Sequence, residues 1–377
     1  MIYSYLKIKI ITKNVIFYAS LELSSHLFFT PFQIMKNPFN EFFHVPSSQE
    51  LLDIAFSRAM KSSAKVSKNA PILIKAKKKE TMRIKVATKQ LIDRILSIIK
   101  RVPFIDDLPD FYRELASVLV DTDKLKLTLG KLNGSLPVLS KIEREHIKRL
   151  NKIEVPRDGD YLRRSAFGRI SSVVNKQKKN LVYLNNIRGR LREIPSIDDT
   201  MPCVVLAGYP NVGKSCIVKE ISTNKKIDVQ EYPFTTKKLN IGHLQIKRRF
   251  DTIKIQIMDT PGILDRPMSK RNSIELQAIL ALRLISDIIL FIFDPTPACG
   301  YSIESQIELF NEIKENFTKD GKIEMVIVFN KKDLASHAEI DYLKEHLGLK
   351  EVDYFLTNAL TGENLDEIIV FLQNRYL

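Results

Sequence analysis

Cys203-Val204-Val205-Leu206-Ala207 runs directly into Gly208-Tyr209-Pro210-Asn211-Val212-Gly213-Lys214-Ser215, and this junction decides the fold. Five apolar residues without alternation read as a strand buried on both faces. The eight residues after it match the Gly-x-x-x-x-Gly-Lys-Ser pattern of a phosphate-binding loop, and a helix from Cys216 to Ser222 must follow. In such a loop the glycines let backbone N–H groups turn inward around phosphate, and the helix N-terminus adds its positive dipole end. Lys214 is then the contact to the β- and γ-phosphates, and Ser215 a magnesium ligand. The octet taken alone also suits an ATPase.

Downstream, apolar runs alternate with helical patterns: Leu239 to Lys247, Ile253 to Met258, Ile288 to Phe293, Met325 to Phe329 and Asp353 to Leu356 read as further strands. With Cys203 to Ala207 they make six, and the alternation predicts an α/β domain: a mostly parallel six-stranded sheet with helices on both faces. Two loops at strand ends narrow the ligand. Asp259-Thr260-Pro261-Gly262 offers a carboxylate for a magnesium-bound water and a glycine N–H for a γ-phosphate. Asn330-Lys331-Lys332-Asp333 selects the base, because a carboxylate accepts from both N1–H and the 2-amino group of guanine, a pair that adenine lacks. Asp333 is therefore the specificity residue. Asn330 pins neighbouring loops and N7, and the Lys331 stem covers the base. The three motifs in this order predict a site for GTP and GDP with Mg2+.

Upstream the pattern is helical. Ser47-Ser48-Gln49-Glu50 has the form of a capping box, and Ile84, Ala87, Leu91, Ile95 and Ile98 form one stripe of a long helix within residues 72–102. Further helical patterns lie at 141–151, 161–178 and 180–192, with breaks expected at Pro103, Gly134, Pro137 and Pro156. An all-α bundle is the economical reading. Residues 35–194 are thus a basic helical domain, 195–202 a polar connector and 203–377 the nucleotide domain. Charge divides at the same place: the net +15 splits into +17 over residues 1–200 and −2 over the remainder. Clustered cations attract a polyanion and release its counterions on binding, so the helical half points to nucleic acid; solvated helix faces are the bland alternative. Cys203, Cys216 and Cys299 lack ligand spacing and read as small core residues of a reducing compartment. Residues 1–34 are apolar but interrupted by Lys7, Lys9 and Lys13, which argues against a signal peptide or a spanning helix. A start at Met35, leaving 1–34 as an upstream or disordered extension, is the favoured expectation.

Several segments carry a resemblance. Tyr232-Pro233-Phe234-Thr235-Thr236 and residues 354–362, with Asn358-Ala359-Leu360, resemble the first switch and the fifth motif of the Obg superfamily of P-loop GTPases. Asp294-Pro295-Thr296-Pro297-Ala298-Cys299-Gly300-Tyr301-Ser302 followed by Gln306, together with Asp265-Arg266-Pro267 and Gln277-Ala278-Ile279, is similar to the nucleolar GTP-binding protein 1 (Nog) family. Asn37-Pro38-Phe39, Arg83-Ile84-Lys85 and Arg188-Gly189-Arg190 extend the likeness upstream.

The resemblance implies that Thr236, or alternatively Thr235, closes on magnesium and the γ-phosphate, and that the Ala359 N–H meets guanine O6. Asn358 stands where the family's motif has serine. Catalytic roles are implied for Lys214, Thr236, Gly262 and Asn211. Ile263 occupies the place where Ras-like enzymes put a water-orienting glutamine, so slow intrinsic hydrolysis is expected. Asn211 implies a potassium ion that supplies positive charge to the transition state. The partner implied is the large ribosomal subunit precursor with its rRNA, touched by Lys75, Lys77, Lys78, Lys79, Arg83, Arg163, Arg164, Lys176, Lys178 and Lys179. No membrane role is expected. The chain's end soon after its last helix suggests a cytoplasmic archaeal protein, with a nucleolar site if eukaryotic. A GTP-binding RNA scaffold with negligible turnover is the second reading, and an ATP-dependent kinase or transporter subunit, opposed by Asp333, the third.

Overall fold

Helix α1 (Ser48–Lys61) begins where the capping box requires. Ser47 Oγ accepts from Glu50 N at 3.2 Å, and Glu50 Oε2 accepts from Ser47 N at 2.7 Å, which holds the Glu50 carboxyl below its usual range. The computed structural model describes residues 37–67, 69–233, 238–248, 251–350 and 353–376, all within one contact unit spanning Ile34–Leu377. The expectation for residues 1–34 falls outside them.

Helix α2 (Ile72–Lys100) buries the whole predicted stripe from Ile84 to Ile98. After a short turn come α3 (Asp110–Leu119), α4 (Thr122–Asn151), α5 (Pro156–Lys176) and α6 (Lys178–Arg192). One expectation fails here: α4 runs unbroken through Gly134 and Pro137. A mid-helix proline costs about 3 kcal/mol in isolation. Pro137 lies on the exposed face, as does Asn133, whose carbonyl it leaves free for water. The opposite face buries Leu125, Leu132, Leu139, Ile142 and Leu150 against α2 and α5. At about 2 kcal/mol per buried aliphatic side chain, that stripe outweighs the proline. Pro156 instead sits in the first turn of α5, where its missing N–H costs nothing.

Among the described residues the nucleotide domain has seven strands: β1 (Cys203–Ala207), β2 (Asp228–Glu231), β3 (Lys238–Lys247), β4 (Thr252–Asp259), β5 (Ile288–Phe293), β6 (Glu324–Phe329) and β7 (Tyr354–Leu356). Their order is β2-β3-β4-β1-β5-β6-β7. Pairs β4–β1, β1–β5, β5–β6 and β6–β7 are parallel, and β2–β3 and β3–β4 antiparallel. The six expected strands are present. The seventh, β2, is a polar and largely exposed edge strand with no apolar alternation to read. Helices α7 (Lys214–Ile221), α8 (Ser273–Ala281), α9 (Ile303–Phe317), α10 (His337–Leu347) and α11 (Leu365–Tyr376) complete the domain. Phe310 of α9 meets Phe291 and Phe293, while Phe371 of α11 meets Phe355 of β7. Phe329 and Tyr354 stack on the side of Phe293, so Phe355, next along β7, faces the other way and α9 and α11 cover opposite faces.

The connector is gripped from both halves. Gln230 of β2 accepts from Ser196 N at 2.6 Å and Gln256 of β4 accepts from Asp198 N at 3.2 Å. Between them the Tyr112 hydroxyl of α3 donates to Ile197 O at 2.7 Å and accepts from Ile197 N at 2.8 Å. Asn37 closes the other side, donating to Leu191 O and Ile194 O at the end of α6. Burial pushes the Tyr112 phenol up to about 12, so it stays neutral and can keep both bonds. Tyr112→Phe leaves a buried N–H and a buried C=O unpaired, and should lower stability by about 2 kcal/mol in urea unfolding. An unchanged midpoint would mean that the hydroxyl does not hold the connector.

Candidate nucleotide site

The loop Gly208–Gly213 leaves the C-terminal end of β1 in the middle of the sheet and enters α7. Gly208 at φ +132°, Asn211 at +66° and Gly213 at +103° turn the backbone in left-handed regions. The first N–H groups of α7, at Lys214, Ser215 and Cys216, have no acceptor inside the helix. Lys214 is buried and donates from Nζ to Gly208 O and Tyr209 O, both at 2.7 Å, arching over Pro210 and its neighbours. Burial lowers its pKa, opposed by the charges of Asp259 and Asp265. Cys203 and Cys299 are core residues as expected, but Cys216 is exposed beside the loop.

Asp259 ends β4, is fully buried, and accepts at Oδ2 from Ser215 Oγ and from Asn240 Nδ2. Its Oδ1 is buried without a hydrogen-bond partner among the described residues. A carboxylate with an idle lone pair, touching a hydroxyl at a phosphate loop, fits a hard divalent cation that takes oxygen ligands. Ser215 and Asp259 would therefore hold magnesium. The third expected ligand, Thr236, and its alternative Thr235 lie outside the described residues.

Thr260 is buried and donates from Oγ1 to Leu206 O at 2.9 Å, locking to β1 the start of the loop that continues through Pro261 to Gly262. Gly262 adopts φ +74°, and Ile263 after it is 1% exposed. Its side chain belongs to the core and is not presented to a water in the pocket.

Asn330 joins the base loop to the phosphate loop. Its Nδ2 donates to Val212 O at 2.8 Å, and its Oδ1 accepts from Ala359 N at 2.9 Å and Thr357 Oγ1 at 3.2 Å. The Ala359 N–H, expected to meet guanine O6, is engaged with Asn330 in this structure. Asn358 folds its own turn, accepting from Leu360 N at 3.0 Å. Lys332 pairs with Glu363 at 2.7 Å. Asp333 is exposed next to them and has no ion pair among the described residues, so its carboxylate is free to take a ligand.

Asp294, Gln306 and Tyr301, quoted above only for a resemblance, carry no role in the sequence reading. Lys331, at φ +60°, donates from Nζ to Asp294 Oδ2 at 2.6 Å, and Asp294 is fully buried. Gln306 brackets Asp294, accepting from its N and donating to its O, both at 2.9 Å. Tyr301 stacks on Tyr209 of the phosphate loop with ring centroids 4.1 Å apart. The segment from Asp294 to Ser302 thus braces the phosphate loop and the lysine expected to cover the base. Its sequence signal was a spaced motif with no physical reading of its own.

The basic residues of the helical domain do not form one class. Lys75, Lys78, Lys79, Lys176, Lys178 and Lys179 are exposed, and Arg164 is exposed but paired with Asp160 at 2.8 Å. Lys77 donates to Asn151 O at 2.9 Å. Arg83 and Arg163, expected as phosphate contacts, are instead largely buried around Glu80, each at 2.9 Å. A buried carboxylate left uncompensated would be costly; Arg83 compensates it from within α2, and Arg163 ties α5 to α2 through it. Among the described residues no helix is long and apolar enough to cross a membrane.

Comparison with known proteins follows the same division. Residues 39–198 match the model of the NOG1 N-terminal helical domain, and residues 273–333 match that of nucleolar GTP-binding protein 1 (NOG1). An uncharacterised protein of Methanocaldococcus jannaschii is 35% identical over 305 residues, covering 81% of this chain and 83% of that one. Nucleolar GTP-binding protein 1 of Encephalitozoon cuniculi is 34% identical over 335 residues, covering 89% of this chain and 62% of its own length. The chain therefore spans less than two thirds of that relative. A solved Plasmodium falciparum chain provisionally named nucleolar GTP-binding protein 1 is 36% identical, covers 47% of this chain and 87% of that one, and has a TM-score of 0.38.

Proposed function

The chain belongs to the nucleolar GTP-binding protein 1 family, and on that premise we propose that it is a slowly hydrolysing GTPase switch acting in large ribosomal subunit assembly through rRNA. The observation that carries the reading is Asn330, whose side chain ties Val212 of the phosphate loop to Ala359 of the base loop at 2.8 and 2.9 Å. One pocket then offers phosphate-facing N–H groups, a cation carboxylate and a free Asp333. When bound, magnesium supplies a positive charge against the β- and γ-phosphates. Lys214 neutralises phosphate charge, Gly262 N–H and Thr236 meet the γ-phosphate, and Asn211 is the proposed potassium contact.

The switch has a route to the helices. Tyr232, the first residue of the switch segment, donates from its hydroxyl to Ala278 O of α8, and α8 packs on α3. Gln230, two residues earlier, holds the connector. Nucleotide-dependent movement on either side of the γ-phosphate would thus pull on the domain whose exposed lysines are the proposed rRNA contacts, mostly through phosphates. The cellular site is the nucleolus in a eukaryotic cell and the cytoplasm in an archaeal one.

The buried Ile263 favours a second reading, a GTP-bound RNA scaffold that scarcely turns over. RNA recovered with the full chain, loaded with a non-hydrolysable GTP analogue or with GDP, should be enriched in large-subunit rRNA in one state over the other. Equal recovery in both states would refute a switch. Hydrolysis should rise with large-subunit particles and be faster in potassium than in sodium; rates indifferent to the particles favour the scaffold, and equal single-turnover rates in the two salts remove the potassium ion.

A further inference from the structure

Asp265 has no part in the chemistry above, yet its Oδ2 accepts from Gly262 N at 2.5 Å. That N–H is the one assigned to a γ-phosphate. Asp265 is 8% exposed, and with Asp259 it is one of two carboxylates whose charge acts on the Lys214 ammonium. One buried carboxylate therefore occupies one of the groups that a γ-phosphate would face, and its charge acts on a second. The peptide it caps is held rigidly from behind: Arg271, with a fully buried side chain, donates to Gly262 O at 3.1 Å and to Ile263 O. The guanidinium stands 3.9 Å from Asp265 Oδ1, and its Nε lacks a hydrogen-bond partner among the described residues.

We propose that Asp265 is an internal stand-in for the γ-phosphate, occupying Gly262 N–H when that phosphate is absent and yielding it when GTP binds. Two anions cannot share one buried N–H without strong repulsion. On GTP binding the carboxylate must leave, and the Arg271 guanidinium, 3.9 Å from Asp265 Oδ1 and with a spare N–H at Nε, is the neighbouring donor group that would receive it. With GDP the carboxylate returns, and the loop keeps its hydrogen bond without the third phosphate. Asp265 thereby sets the relative affinity for the two nucleotides, and makes the GDP state an ordered conformation in its own right.

This inference rests on the reading of the pocket as a GTP site, and the test separates the two. Fluorescent GDP and a fluorescent non-hydrolysable GTP analogue are titrated, with magnesium, into the full chain and its Asp265→Asn and Asp265→Ser variants. Removing the charge should raise the affinity ratio of analogue to GDP by about tenfold, the scale of one charge-assisted hydrogen bond. An equal shift for both nucleotides, or a lower ratio, overturns the stand-in while leaving the GTP site intact. Wild-type chain that binds neither nucleotide overturns both readings. Hydrogen exchange on the wild-type chain needs no variant: the Gly262 amide should be protected with GDP as well as with the analogue. Protection by the analogue alone overturns the proposal.

Discussion

Asp333→Asn is expected to weaken GTP binding by roughly a thousandfold while leaving the fold untouched. The carboxylate is exposed and makes no ion pair among the described residues, so nothing in the core depends on its charge. What depends on it is the guanine edge, where two donors would meet an amide able to accept one bond and obliged to aim its own N–H at the rest. Xanthosine triphosphate, which carries a carbonyl where guanine has its amino group, should be recovered as a ligand by the same variant. Competition titrations against a fluorescent nucleotide measure both. GTP affinity within tenfold of wild type would mean that Asp333 does not read the base.

Gly213→Ala should abolish measurable nucleotide binding and lower stability by about 3 kcal/mol. At φ +103° an L side chain is strained, and a Cβ there would lie inside the Asn330 side-chain amide. The amide cannot step aside cheaply, because it is fixed to Val212 O and Ala359 N. The substitution breaks the tie between phosphate loop and base loop in addition to bending the phosphate loop. Gly134→Ala is the control: a Cβ at Gly134, inside α4, meets nothing, so the change should be neutral or stabilise by up to about 1 kcal/mol. Thermal unfolding and titration of the two variants together distinguish a local defect in the pocket from a general intolerance of alanine.

The legible parts of this fold share a physical cause. Gly208, Lys214 and Asp259 could be read because a strand, a tight turn and a helix leave short, spaced signatures, and strands β1, β5 and β6 because unbroken apolar runs report burial on both faces. Strand β2 was invisible, since an exposed edge needs no apolar residue. Helix α4 was divided wrongly because a proline's cost is local and the packing that overrides it is not. Arg163 looked like a solvent-facing cation because its partner, Glu80, is joined to it only by the approach of α2 to α5, and Arg83 pairs with the same carboxylate from one turn along α2. In the site, motif residues could be named from spacing, but the bonds of Asp294 to Lys331 and Asn240 to Asp259 cross between segments that no periodicity connects, and that of Asp265 to Gly262 depends on a turn of the loop that no pattern announces.

The order of strands across the sheet has a consequence for how the molecule comes into being. Central strand β1 pairs with β4 and β5, at Val204↔Ile257 and Val204↔Ile288, and the clasp of Asn330 on Ala359 draws in β6 and the segment after β7. During synthesis the phosphate loop therefore emerges long before the neighbours that shape it, and the pairing waits on distant sequence. Helices α1, α2, α4 and α5 face no such delay, because they pack on one another, and α3 waits for α8. The basic half can be folded while the pocket is still unmade, as domains emerging from the ribosome fold in turn from the N-terminus.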